Sequence, residues 1–358
     1  MSHRDYRTHK PGILFSKNTN SLTASIASLY EIISHKKIIS HAEKKEKLDA
    51  KIISLGNITF GGSGKTPHAE FLAHYLSEQK MKPGIVTGGW GGDKRGDGIL
   101  VSDGNTILAD YKSAGDEALS LSKNVLDCYV PLYAHRNRIL GAKELINQFN
   151  CDIIIFDDAF HFVSIHKDAD ILLIDSTNPF GAGPLPNRGI MREPIQALTR
   201  ADAIILTHSD QVDKTTIQQI EKHIHDTEYD NPVFTSSFIP DYLECSDGTE
   251  LTIDDTKKLN LVPLSGLGNP QSFEKSLADI GITNPNPIRF NDHHSCTQSD
   301  IEKINSAVKE DSADGIITTL KDWIRLENQA DKINSRIYIL HSRIEIENDF
   351  LSWLTTRI

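Results

Sequence analysis

The chain holds 358 residues with a formal net charge of −11, and 38 % of them are hydrophobic against 24 % charged. That length suffices for two domains with buried cores, and that composition excludes a disordered chain. The negative balance argues against wholesale nucleic-acid binding, and no apolar run approaches the roughly 20 residues of a membrane span.

The four cysteines (Cys128, Cys151, Cys245 and Cys296) form no CxxC pair and read as reduced thiols of a cytoplasmic protein. His, Arg and Lys interrupt the first residues before an apolar core forms, unlike a secretory signal. Residues 1–50 form a basic arm: through Lys51 there are ten Lys/Arg against five acids. Ile26, Leu29, Tyr30 and Ile33 share one face of a helix starting near Ser21, and Lys36 and Lys37 follow it. Such a helix suits an anionic membrane surface, and it equally suits packing on its own domain.

From Lys51 to residue 232 the texture is α/β. Strands are expected at Ile52–Leu55, Gly84–Thr87, Ile153–Asp157, Ala169–Ile174 and Ala203–Leu206, with helices beginning near Lys65, Asp116, Asn137 and Thr215. Alternation of this kind implies a parallel sheet covered on both faces, with ligands beyond its C-terminal strand edge. The first strand runs into Gly56-Asn57-Ile58-Thr59-Phe60-Gly61-Gly62-Ser63-Gly64-Lys65-Thr66. Glycines ahead of a helix let successive backbone N–H groups converge on an anion. Lys65 then reaches the β- and γ-phosphates and the Thr66 hydroxyl binds Mg²⁺. The usual pattern has a glycine where Thr59 stands, and the doubled Gly61-Gly62 can supply the turn instead.

Gly115-Asp116-Glu117 opens a helix as an N-cap. In a phosphoryl-transfer enzyme an unpaired Asp116 near the γ-phosphate would orient or deprotonate the acceptor hydroxyl. Ile153–Phe156 followed by Asp157 and Asp158 reads as the partner strand of the phosphate loop, its carboxylate facing the nucleotide's Mg²⁺. The Pro/Gly-rich stretch 178–186 is a loop on the ligand edge. After it come Arg192, suited to a phosphate, and Glu193, suited to the metal, unless both make local ion pairs.

Val233–Ser236 begins a smaller unit, 233–358, through a polar linker from Glu244 to Lys258. Its strands are expected at Leu261–Leu264, Pro287–Phe290, Gly315–Thr319 and Ile337–Leu340. Asn291-Asp292-His293-His294-Ser295 lies among them, and adjacent histidines point opposite ways on a strand, so at most one of the two faces a given site and both equally suit a solvated loop.

Together these stretches resemble the tetraacyldisaccharide 4′-kinase (lipid A disaccharide 4′-kinase) family along nearly the whole chain. The phosphate loop from Leu55 to Pro67 matches, including the non-Gly at Thr59, as do Gly115-Asp116-Glu117, Phe156-Asp157-Asp158 with Phe160, Arg192-Glu193-Pro194, Ser265–Pro270 and Asp292-His293-His294. Several positions depart: Gly88 replaces an Arg, Ala159, His161 and Phe162 replace Gly, Gln and His, Leu320 replaces a Glu, and the run from Leu185 to Pro194 differs in part from the family's acceptor-side loop.

The resemblance implies a P-loop NTPase-like, mostly parallel sheet flanked by helices, with a smaller α/β C-terminal domain. It implies ATP and Mg²⁺ as cofactors. The γ-phosphate would go to the 4′-hydroxyl of tetraacyldisaccharide 1-phosphate, at the cytoplasmic face of the bacterial inner membrane. Asp116 would be the base, acting with His293, and Lys65 would neutralise phosphates. Thr66, Asp157 and Glu193 would hold the metal. Thr59, Gly61, Gly62, Ser63 and Gly64 would cradle nucleotide, and Asp158 and Arg192 would meet the acceptor. A monomer docked on an anionic surface through its basic arm is expected. A P-loop switch protein and a degenerate ATP-binding relative are the competing readings.

Overall fold

The computed structural model describes residues 45–59, 61–94, 96–181, 191–291, 294 and 296–358. The expected basic helix after Ser21, Phe60, most of the Pro/Gly-rich loop, Asp292 and His293 lie outside the described residues.

In chain order the first elements are β1 (Lys51–Gly56), α1 (Lys65–Glu78), β2 (Pro83–Thr87), β3 (Ile99–Ser102), α2 (Asp116–Asn124), β4 (Leu132–Ala134) and α3 (Arg138–Phe149). Then come β5 (Ile153–Phe156), β6 (Ala169–Asp175), β7 (Ala203–Thr207), α4 (Lys214–His225), β8 (Val233–Cys245) and β9 (Glu250–Thr252). The remainder is β10 (Leu261–Ser265), α5 (Pro270–Asp279), β11 (Ile288–Arg289), α6 (Gln298–Glu310), β12 (Gly315–Thr319), α7 (Leu320–Leu326), β13 (Arg336–Ile346) and α8 (Asn348–Thr355).

Among the described residues all of these strands join one sheet, ordered β11-β10-β12-β13-β8-β7-β6-β1-β5-β2-β4-β3, with β9 on β8. Pairing is parallel except at β3–β4, β8–β13 and β8–β9. β1 lies between β5 and β6, with Ser54 level with Phe156 on one side and Asp170 on the other. That register brings Asp157, just past β5, beside the end of β1.

The apolar runs are continuous because the sheet is covered on both faces. Ile53, Leu55, Ile153 and Ile155 pack with Leu72, Ala73 and Leu76 of α1. Ile52, Ile154 and Phe156 pack on the opposite face with Ala142 and Leu145 of α3. Phe156 is fully buried.

The expected strands of the first part are present, and two more, β3 and β4, were not expected. They are only four and three residues long, too short for a clear period. The expected boundary at 232/233 falls where β8 begins, and β8 is far longer than the tetrapeptide read from sequence. Its residues Val233–Thr235 pair with β7, and Ser236–Cys245 pair with β13. Pro240 and Asp241 break its apolar pattern, yet the ladder only skips the exposed Asp241 and resumes at Pro240. Glu244–Lys258, read as a linker, carries β9 and a helical turn at Ile253–Thr256. The strand expected at Pro287–Phe290 is confined to Ile288–Arg289.

Candidate active site

The segment after β1 is built for an anion. Gly61 (φ 120°) and Gly64 (φ 78°) both take left-handed backbone that other residues rarely adopt. Gly64 is the N-cap of α1, and no side chain caps that helix among the described residues, so its first amides are left for a ligand. Ser63 N donates to Gly61 O (3.1 Å) and His68 N to Gly64 O (3.2 Å), closing the loop on itself. Thr59, standing where a glycine is usual, is buried and makes an antiparallel bridge to Met191. Arg192 N also donates to Ile58 O at 2.6 Å, so the segment after the Pro/Gly-rich loop is stitched to the phosphate loop.

The acids gather at the start of α1. Thr66 Oγ1 donates to Asp157 Oδ2 at 3.2 Å, while the buried Asp157 Oδ1 has no hydrogen-bond partner among the described residues. Burial, with Glu117 and Asp158 nearby, pushes the Asp157 pKa up to about 6 despite Lys65 and Arg138. An orphaned carboxylate oxygen beside a threonine hydroxyl is what a Mg²⁺ site requires, and the residues fit that ion. Glu193 lines the same cleft. Its Oε2 lies 2.7 Å from Arg200 Nη2, outside hydrogen-bond geometry, so both buried carboxylate oxygens lack a directed donor among the described residues.

Asp158, at φ 55°, meets two cations. Arg192 Nη1 donates to its two oxygens at 2.9 and 2.8 Å, and Lys65 Nζ lies 3.8 Å away. Burial would raise the Asp158 pKa, but Lys65 and Arg192 outweigh it and hold it near about 2. Asp158 thus gathers Lys65 and Arg192 at one carboxylate, and Arg192 makes the local ion pair that the sequence left open.

Arg138, overlooked in the sequence because an arginine opening a helix usually faces solvent, is buried. Its Nη1 donates to His135 O (2.9 Å) and its Nη2 to Asp157 O (3.0 Å), fixing the acid-bearing turn. A Cβ on Gly88 would fall 2.9 Å from that Nη2. The charge expected from an arginine at position 88 is therefore delivered beside it by Arg138.

The far wall of the cleft comes from the C-terminal part of the chain. A Cβ on Gly268 would fall 2.9 Å from Gly62 N, so the 266–269 loop rests directly on the phosphate loop. Asn269 Nδ2 donates to Asp175 Oδ2 (2.9 Å) and to Thr177 Oγ1 (3.1 Å). His68 binds Gly64 O through Nδ1 (2.7 Å) and Ser236 Oγ through Nε2 (2.9 Å), and burial drives its pKa down to about 4. The cleft, which opens to solvent, measures about 2000 Å³, ample for a nucleotide.

Asp116 departs from expectation. It was expected unpaired near the γ-phosphate, but it is almost fully buried and its Oδ2 accepts from Arg325 Nε at 2.6 Å. A lone carboxylate so desolvated is costly, and the guanidinium compensates it. Its neighbour Glu117, rather than Asp116, lines the cleft among the described residues. His294 is occupied elsewhere: it stacks on Phe290 (4.9 Å) and its Nε2 lies 2.8 Å from Asp300 Oδ2. Thr319-Leu320-Lys321-Asp322 is a helix start, with Thr319 capping α7 and Lys321 bonded to Glu117 at 2.9 Å.

Known proteins are similar to this chain along most of its length. The tetraacyldisaccharide 4′-kinase of Halothermothrix orenii is 32 % identical over 319 residues, covering 85 % of this chain and 82 % of the relative. That of Desulfotalea psychrophila is 29 % identical and covers 95 % and 96 %. A crystal structure of Aquifex aeolicus LpxK in complex with ATP superposes with a TM-score of 0.69 at 25 % identity, over 94 % of this chain and 98 % of that one. The model of the tetraacyldisaccharide-1-P 4′-kinase family matches residues 20–358, and the chain belongs to that family.

Proposed function

We propose that this chain transfers the γ-phosphate of ATP to the 4′-hydroxyl of tetraacyldisaccharide 1-phosphate, a step of lipid A synthesis. The observation that carries the reading is the conjunction at one cleft of an uncapped helix start with left-handed glycines, Lys65, and the Thr66–Asp157 pair with its orphaned oxygen.

Lys65 leaves Asp158 for the phosphates as ATP enters. Gly61–Gly64 cradle the phosphate oxygens with backbone amides. Thr66, Asp157 and Glu193 hold Mg²⁺, which when bound neutralises charge developing on the transferred phosphoryl. Asp116 takes the acceptor's proton, acting with His293. Asp158 and Arg192 stand on the acceptor side. The protein works as a monomer at the cytoplasmic face of the inner membrane, its basic arm against anionic headgroups. No helix among the described residues is long and apolar enough to cross a membrane. A peripheral site suits a four-chain substrate, which leaves lipid at ~0.8 kcal/mol per exposed CH₂.

The test is purified protein with Mg-ATP and tetraacyldisaccharide 1-phosphate in detergent. The expected result is acceptor-dependent ADP release that is lost in Asp116→Ala. Hydrolysis indifferent to the acceptor and favouring GTP would instead mark a switch protein. ATP binding without turnover would mark a degenerate relative.

A further inference from the structure

We propose that Arg325 is a positioning residue for the phosphoryl transfer, holding the Asp116 carboxylate ionised and oriented for the acceptor's proton. The inference rests on Asp116 being the base.

Arg325 Nε donates to Asp116 Oδ2 at 2.6 Å, and Nη2 contacts the same oxygen. Oδ1 accepts the Glu117 amide at 3.0 Å and faces Gly91, where a Cβ would stand 3.9 Å away. One carboxylate oxygen is thus held by the guanidinium, and the other, on the Gly91 side, accepts the Glu117 amide.

The guanidinium is itself framed from behind. Arg325 Nη1 donates to Asp322 Oδ1 (2.9 Å) and to Gly266 O (3.1 Å). Asp322 Oδ2 in turn accepts from Gly266 N (3.0 Å) and Thr319 Oγ1 (3.0 Å). Two side chains 209 residues apart in sequence therefore meet with 3 % and 2 % of their side-chain surface exposed.

Docking α7 on α2 does not require this pair. Lys321–Glu117 (2.9 Å) already joins the same two helices nearer solvent, and Lys123 of α2 reaches Glu327 (3.2 Å) just past the end of α7. A buried ion pair is a poor source of stability, so its presence at the carboxylate proposed as the base fits a role in holding that carboxylate. The start of α2 adds a second, weaker preference for the ionised form. Glu117 and Lys321 also bear on Asp116 alongside it, Asp322 stands behind the guanidinium, and Arg138 and Asp157 couple to Glu117 from the phosphate-loop side.

The step balances simply. The acceptor hydroxyl oxygen forms a bond to Pγ, and the bond from Pγ to the β-bridging oxygen breaks, its electron pair leaving with ADP. The hydroxyl proton passes to Asp116. A base held ionised by a cation works to lower pH than one without it. Removing Arg325 raises the Asp116 pKa and moves the acidic limb of the kcat profile upward.

The test compares wild type, Arg325→Met, Arg325→Lys and Asp116→Asn by kcat against pH, with ATP affinity and thermal melting measured alongside. For Arg325→Met the acidic limb is expected to rise by roughly 1–2 pH units with ATP affinity unchanged. Arg325→Lys is expected to keep the limb at its wild-type position with a lower plateau, since it retains charge but loses the planar fork. A wild-type limb in Arg325→Met, or an equal shift in Arg325→Lys, overturns the proposal. Should Arg325→Met fail to fold, Asp322→Asn, which loosens the guanidinium without removing it, is read for a smaller change of the limb, and a wild-type profile there is likewise fatal. Full activity in Asp116→Asn overturns the underlying reading of the base instead.

Discussion

Gly268→Ala isolates the contact between the 266–269 loop and the phosphate loop. Gly268 is exposed, and its backbone lies outside the left-handed region, so alanine is compatible with the local conformation. The added Cβ would stand 2.9 Å from Gly62 N and 3.2 Å from Gly61 Cα, and neither backbone atom can rotate away as a side chain would. Comfortable contact begins near 3.5 Å, so the loops must separate by roughly 0.5 Å. Misplacing catalytic groups by about 1 Å costs up to ~10²-fold, and half that displacement implies a loss of about tenfold in kcat/KM. Stability should change little, because the strain of that close contact offsets the ~0.4–1 kcal/mol that restricting the unfolded chain contributes. The assay is coupled ADP release with the lipid acceptor, paired with thermal melting. Activity within about twofold of wild type would show that the two loops are not held in register for catalysis. A melting temperature that fell with the activity would place the effect in folding.

Lys65→Ala should abolish turnover, since it removes a charge on the transferred phosphoryl worth several kcal/mol, or at least ~10²-fold in kcat; a milder loss in steady-state kinetics would move the phosphate site elsewhere. His68 supplies an acid-sensitive term. Its pKa is about 4 in the fold against 6.5 for the free side chain, so the folded form stays neutral while the unfolded chain takes a proton. Its share of stability is complete above pH 6.5 and is lost as pH falls toward 4, at about 1.4 kcal/mol per pH unit. Denaturant melts between pH 7 and 4.5 should therefore show a shallower decline for His68→Gln than for wild type, and parallel curves would refute the term. Phe156→Ala empties a fully buried site in the β5 core and should cost about 3–5 kcal/mol in the same melts, whereas a loss under about 1 kcal/mol would mean that the core collapses to fill it.

Much of the phosphate-binding half was legible because its signals are local. Apolar runs made the parallel strands, glycines made the loop, and Asp157 ended the strand beside β1. What stayed hidden depends on distant partners. Arg138 gives no sign that its guanidinium caps the carbonyls of His135, Asp157 and Asp158. Nothing near Arg325 announces a partner at Asp116, and nothing near Asp116 betrays that it is paired. The true length of β8 was obscured by Pro240, tolerated where the ladder to β13 shifts register between His341 and Ser342. The commonest misjudgement was thus one of reach: contacts spanning the chain were read as local loops.

Strand β8 has a mechanical consequence. Its allegiance changes from β7 to β13 between Thr235 and Ser236, with no free tether between the nucleotide-binding portion and the rest. Opening the cleft to exchange substrates must therefore flex a continuous ribbon of hydrogen bonds, not swing a lid on a slack connector. The pivot sits at Ser236, whose hydroxyl meets the imidazole that also grips the Gly64 carbonyl. Arrival of a triphosphate would be felt at that crease through one side chain, so the elasticity of the sheet itself sets how readily the enzyme gapes.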